Sequence, residues 1–156
     1  MIQMEKNIPV EHIGFVVKDM EKTVAYLTEN FGVEDFQIYD YSPKIAKCDG
    51  ITIPDYHLKI AMAFGKNGGV GFEVIQPVSD KGMHYDFAKD GGGYHHFAFL
   101  TEDFESWRER FEQKGARFVF EAEMEDDIFG YRRCFYAKDP VLKTVVEVKE
   151  KPHFCG

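Results

Sequence analysis

The chain has little cysteine. Cys48, Cys134 and Cys155 are odd in number and show no Cys-x-x-Cys spacing. That leaves no basis for a disulfide framework or a thiolate zinc cluster, and the three read as free thiols in a reducing, cytoplasmic setting. Positive charge is also short. Nineteen Lys and Arg stand against 27 Asp and Glu, a net charge of −8. Such a surface repels phosphate backbones, so nucleic acid is not an expected partner. No apolar run reaches the roughly 20 residues that cross a bilayer. The opening "MIQMEKNIPVEH" lacks the basic start and apolar stretch of a secretory signal. No membrane association is expected. "GGGYHH" is rich in glycine but does not lead from a strand into a helix, so it is not a nucleotide-binding loop.

What is present is a large apolar fraction and many rings. Hydrophobic residues make up 44% of the 156, with 15 Phe and 8 Tyr. One domain of that length, residues 1–156, can bury roughly 70% of the surface its unfolded chain exposes. The chain also repeats itself. "HIGFVVKDMEKTVAYLTENFG" from His12 aligns with "HFAFLTEDFESWRERFEQKG" from His96, matching Phe15 to Phe99, Asp19 to Asp103 and Glu21 to Glu105. Each copy opens as an alternating strand and meets an Asp suited to cap a helix. An apolar stripe of helical spacing follows, Met20, Val24, Leu27 and Phe31 in one copy and Phe104, Trp107 and Phe111 in the other. Each stripe ends near a glycine, Gly32 or Gly115, fit for a left-handed C′ position. Two further strand-like runs follow in each copy, "FQIYDY" and "YHLKIAMAF" against "ARFVFEA" and "YRRCFYA". The copies close on "GFEVIQP" and "VVEVKEKP", where Glu73 falls opposite Glu147. The expected class is therefore α+β, with two tandem βαβββ modules at 9–78 and 93–152. The segment "SPKIAKCDGITIPDY" lengthens the first module. The link between modules is expected to hold one helical turn around Tyr85–Lys89.

Strand alternation selects the polar residues that matter. Neighbours in a strand point to opposite faces. His12, Gly14 and Val16 then share one face and Ile13, Phe15 and Val17 the other; His96, Ala98 and Leu100 oppose Phe97 and Phe99 in the same way. The bulky faces suit packing against the helices. The faces with small neighbours leave room above His12 and His96. By the same rule His95 is expected on the opposite face, in a structural or solvent role. Glu73 and Glu147 sit inside apolar runs, where a carboxylate is costly to bury unless paired or metal-bound. One His or one Glu on a strand is ordinarily a satisfied or solvated polar group. The same two types at the same two places in two copies point to a metal site. Imidazole plus carboxylate, without thiolate, suits one divalent ion such as Zn, Ni, Co, Mn or Fe. The acidic run "EAEMEDD" reads as a solvated loop, and Lys59 as a surface lysine that would contact an anionic substrate group if it faced inward.

At these residues the chain resembles the vicinal oxygen chelate superfamily, which includes glyoxalase I, methylmalonyl-CoA epimerase, extradiol dioxygenases and bleomycin-resistance proteins. The resemblance runs from about Val10 to about Pro152. It implies an open, metal-centred β-barrel, a homodimer, and metal ligands at His12, Glu73, His96 and Glu147. It implies, too, a small-molecule substrate and proton abstraction beside a carbonyl polarised by the cation, with Glu147 or Glu73 as the catalytic base acting on a small 2-oxo compound or acyl thioester. An isomerase or lyase, epimerase-like or glyoxalase-like, is the leading expectation. A non-catalytic ligand-binding protein of the same fold and an Fe(II) extradiol-type dioxygenase are the alternatives. The positions at which glyoxalase I grips glutathione correspond to Val16 and Pro77 here, which departs from that enzyme. The position of the epimerase's second catalytic glutamate corresponds to Lys59.

Overall fold

The structure, a computed structural model, describes residues 4–153. Strand β1 (Val10–Val16) leads into helix α1 (Met20–Phe31). Then come β2 (Gln37–Tyr41), a short β3 (Ile45–Cys48) and β4 (Ile51–Thr52), β5 (Leu58–Ala63) and β6 (Gly71–Pro77). Helix α2 (Met83–Lys89) links to β7 (Gly93–Thr101), α3 (Phe104–Gln113), β8 (Arg117–Asp126), β9 (Gly130–Lys138) and β10 (Val145–Glu150). The ten strands among the described residues form one sheet in the order β2-β5-β6-β1-β7-β10-β9-β8-β3-β4. The repeat is visible in that order. Each module's first strand pairs parallel with its last, β1 with β6 and β7 with β10, and the two first strands meet antiparallel at the centre.

The sheet curls into a half-barrel. Ala46 near one edge, Leu58 and Ile60 near the other, and Val16, Ile75, Phe120 and Tyr136 between them share one buried cluster on the concave side. The helices α1 and α3 lie on the convex side. Met20 and Leu27 of α1 pack on Ala61 and Val74. Phe104 and Phe111 of α3 pack on Phe135, Ala137, Val146 and Val148. Their N-termini are capped as the sequence predicts: Asp19 accepts from the Lys22 amide at 3.1 Å and Asp103 from the Ser106 amide at 3.3 Å. Such caps contribute about 1 kcal/mol each.

Four expectations change. Phe31, placed on the buried stripe, is 66% exposed because α1 ends there and none of the described residues buries its last turn. Ile13 and Phe15 lie outside the cluster that α1 buries; Phe15 stacks on Phe72 and packs edge-on to Tyr94 along the convex face. "EAEMEDD" is not a loop. Its first six residues end β8, with Glu121, Glu123 and Glu125 bound to Arg108, Tyr131 and Lys44. The inter-module helix is longer than one turn, and it buries His84 and Ala88, four residues apart on one face, against the half-barrel interior. The segment that lengthens the first module forms the β3–β4 hairpin. It crosses to pair with β8 of the second module and covers that module's edge. Cys48 and Cys134 are free thiols, while Cys155 lies outside the described residues.

Candidate metal centre

The four sequence-selected residues come together on the concave face. Two rows of residues across the sheet place them. In one, Glu73 of β6 flanks Gly14 of β1, which flanks His96 of β7. In the other, Glu147 of β10 flanks Ala98 of β7, which flanks His12 of β1. Each Glu and its row's His are two strands apart, roughly 10 Å between backbones. Their side chains can reach one point only over a small residue, and Gly14 and Ala98 are those residues. The fit at Gly14 is tight: a Cβ there would stand 2.3 Å from Cε1 and Nε2 of His96.

His12 and His96 are fully buried, and Glu73 and Glu147 are 6% and 5% exposed. The Nε2 atoms of the two histidines lie 3.4 Å apart. Each approaches Glu73 Oε1 at 3.3 Å, and Glu147 Oε1 approaches them at 3.2 and 3.1 Å. One ligand atom from each residue falls within 4.8 Å of all the others. The carboxylate contacts are close yet not hydrogen bonds, for among the described residues Glu73 Oε1 and Glu147 Oε1 are buried with no hydrogen-bond partner. Two buried carboxylate oxygens within reach of two imidazole nitrogens suit a shared cation. The donor set, two imidazoles and two carboxylates, suits a divalent ion of the Mn-to-Zn range. The residues present therefore fit the metal that the fold family implies.

The electrostatics agree. Burial alone would push His12 down, but the Glu73 carboxylate and contacts with Glu11 and Glu147 carry it well above the usual imidazole range. His96 is raised as well; burial opposes the shift and contacts with Glu147 and Glu73 outweigh it. Burial would raise the two carboxylates, but the histidines hold Glu73 well below its usual range and Glu147 down to about 2. Both imidazoles are thus drawn toward their protonated form, so protons and a divalent ion would compete for the same nitrogen atoms.

Sequence reasoning misplaced one residue and missed several. His95 is not on the opposite face. A β-bulge at His95, where β7 pairing steps from His96 to Tyr94, turns its side chain inward, and it is buried with Nδ1 2.8 Å from Nδ1 of His96. Burial and the neighbouring His96 hold His95 down to about 2, so it stays neutral. Glu11 is one of these: its Oε1 lies 3.0 Å from His12 Nδ1 and accepts from Lys149 Nζ at 2.7 Å. Behind His95 stands His84, fully buried, with Nδ1 2.6 Å from the Tyr56 hydroxyl and Nε2 3.2 Å from that of Tyr136. The side chain of Tyr136 packs on His96, ring centroids 4.7 Å apart. No repeat marks these residues; the only signals were "HH" and the acidic residue beside His12. Lys59 faces outward. It sits between Leu58 and Ile60, which line the cavity, so alternation sends it to the convex face. The cavity over Glu73 and Glu147 has a volume of about 60 Å³. Tyr39, Tyr41 and Phe120 supply much of its wall, and Arg132 and Lys149 supply positive charge.

A curled sheet of paired βαβββ modules holding two histidines and two carboxylates in its concavity defines a glyoxalase-like α+β protein. The chain belongs to the Glyoxalase/Bleomycin resistance protein/Dioxygenase superfamily, whose family model matches residues 11–135. Among solved structures it is similar to a Streptomyces coelicolor methylmalonyl-CoA epimerase variant in complex with 2-nitronate-propionyl-CoA. The identity is 19% and the TM-score 0.63, covering 94% of this chain and 99% of that one. It is similar to the Mycobacterium tuberculosis methylmalonyl-CoA epimerase, at 16% identity and TM-score 0.62, covering 97% of this chain and 93% of that one. A Streptomyces coelicolor 4-hydroxymandelate synthase variant is matched at 15% identity and TM-score 0.63, over 99% of this chain and 52% of that one. These likenesses establish the fold. No curated protein sequence matches the chain.

Proposed function

We propose that the protein is a metal-dependent isomerase or lyase that removes an α-proton from a small 2-oxo compound or acyl thioester, with His12, Glu73, His96 and Glu147 as the metal ligands. The observation that carries this reading is the pair of buried, unpartnered carboxylate oxygens, one from each module, that meet two imidazoles beside a cavity. A bound divalent ion would act there as a Lewis acid, polarising the substrate carbonyl and lowering the pKa of the adjacent C–H. Glu147 takes the α-proton, and Glu73, arriving from the opposite side of the sheet centre, is placed to return it at another atom or face. Leu58, Ile60 and Phe120 keep water from the reacting carbon, and Arg132 and Lys149 attract an anionic substrate group. A base on β5, as in a two-base epimerase, has no counterpart: by alternation the inward residues there are Leu58, Ile60 and Met62, none of them ionisable. Both proton transfers therefore fall to the ligand carboxylates.

The dioxygenase alternative is less well supported. Non-haem iron oxygenases use two histidines and one carboxylate, and this site brings a second carboxylate, Glu73. The test is Glu147→Gln at saturating metal, read as deuterium incorporation from heavy water into a substrate found by screening. Loss of a general base commonly costs about 10²–10⁴-fold in rate. Exchange at the parental rate would remove Glu147 from the role, and a dead Glu73→Gln variant beside an unaffected Glu147→Gln would transfer it to Glu73. A non-catalytic binding protein would show no exchange at all. Stoichiometric oxygen consumption by the iron-loaded protein would favour the dioxygenase.

A further inference from the structure

We infer that Glu11 and His95 are positioning residues for the two metal histidines, delivered to them by a β-bulge repeated in each module. The inference rests on the metal centre proposed above. Strand alternation forbids two neighbours on one face, yet Glu11 with His12 and His95 with His96 both turn to the concave side. A bulge lifts the restriction by adding one unpaired residue. In β1 the pairing steps from Val10–Phe99 to His12–Ala98, which leaves Glu11 without a partner across the sheet. In β7 it steps from His96–Gly14 to Tyr94–Phe15, which leaves His95 without one. The irregularity thus falls in both modules on the residue just before the ligand. The bulged residues differ in kind, a carboxylate and an imidazole, so the device is a shared backbone feature.

Each bulge does the same thing to its histidine. Nε2 faces the site, and Nδ1 faces the residue before it, at 3.0 Å for Glu11 Oε1 and 2.8 Å for His95 Nδ1. When His12 donates Nδ1–H to Glu11, its Nε2 lone pair is free for a metal. When His96 donates Nδ1–H to the His95 Nδ1 lone pair, His95 carries its own proton on Nε2, and the Nε2 lone pair of His96 is free likewise. One hydrogen bond therefore fixes both tautomer and ring angle, as outer partners of metal histidines do. The supports are held in turn. Lys149 Nζ grips the Oε1 of Glu11 that His12 uses, and Phe87 packs edge-on to His95 with centroids 4.7 Å apart.

The test measures zinc affinity by competition with a chromogenic chelator, together with the visible absorption of the Co(II)-substituted protein. Glu11→Ala and His95→Ala should each weaken zinc by about 10–100-fold and shift the Co(II) bands. Glu11→Gln and His95→Asn keep an acceptor near Nδ1 and should restore most of the affinity. They also carry the test if an alanine variant folds poorly by circular dichroism. Lys149→Met removes the lysine but leaves the Glu11–His12 bond, and should cost far less than Glu11→Ala. Parental affinity and unchanged Co(II) spectra in both alanine variants would overturn the inference. So would a loss in Lys149→Met equal to that in Glu11→Ala. His12→Ala separates the two readings: if it loses zinc while Glu11→Ala and His95→Ala do not, the metal centre stands and the positioning role falls. A parent protein that takes up no zinc or cobalt would overturn both.

Discussion

Gly14→Ala is the sharpest probe of the site, because it adds one methyl group and little else. The backbone at Gly14 does not have the positive φ found at Gly32 or Gly92, so alanine brings no backbone strain. The whole effect is the collision of the new Cβ with the His96 ring. That contact would be 2.3 Å to both Cε1 and Nε2. An ordinary contact starts near 3.4 Å, so the ring must retreat by about 1 Å, whereas metal–ligand distances tolerate about 0.2 Å. The ring is fully buried under Tyr136, with no open side to move toward. Two losses follow. Overpacking should destabilise the metal-free protein by about 1–3 kcal/mol, read from a denaturant titration. Zinc affinity should fall by more than the roughly 10–100-fold of an outer-partner loss, since the displaced ring is itself one of the proposed ligands. Gly32→Ala is the control. Gly32 has φ 67 at the end of α1 with nothing within 4 Å of a Cβ, so its alanine should cost stability and leave zinc affinity alone. A Gly14→Ala protein that binds zinc like the parent would refute the placement of His96 beside β1.

Metal binding should release protons at neutral pH, because His12 and His96 are both raised in the metal-free protein; calorimetry in buffers of different ionisation heat measures the number released, and zero would contradict the shifts. In the metal-free protein, the raised His12 contributes stability that is fully present below about pH 6.5 and is lost as pH rises through its higher folded-state pKa. Its midpoint of thermal unfolding should therefore decline on the alkaline side more steeply than that of a His12→Gln variant. Turnover of the methylglyoxal–glutathione adduct should be poor, because Val16 is fully buried in the apolar cluster and Pro77 closes β6 without a polar side chain; efficient lactoylglutathione formation by metal-loaded protein would contradict this. Asp103→Ala should cost about 1 kcal/mol through the lost cap of α3, with metal affinity unchanged.

Much of this protein is legible without coordinates, and for a definite reason. His12, Glu73, His96 and Glu147 recur by type and by place in two copies, so the repeat singles out, before any distance is known, the four residues that the fold brings together. The helix stripes and the capping residues Asp19 and Asp103 depend only on neighbours within a turn or two along the chain. The roominess around the histidines was also local, since Gly14 and Ala98 follow two positions after each. What tertiary structure alone decided is everything that depends on register between strands. Alternation sent His95 outward and passed over Glu11, because a bulge is a mismatch between two strands distant in sequence and leaves no periodic mark on either. The β3–β4 hairpin reads as an insertion in the first module, yet it finds its partners on β8, some 70 residues away in the chain. The network of His84, Tyr56 and Tyr136 draws on α2, the segment before β5, and β9, which meet only once the sheet has curled. Local pattern picks out the four side chains that the fold brings together, and the curl and register of the sheet determine which others stand behind them.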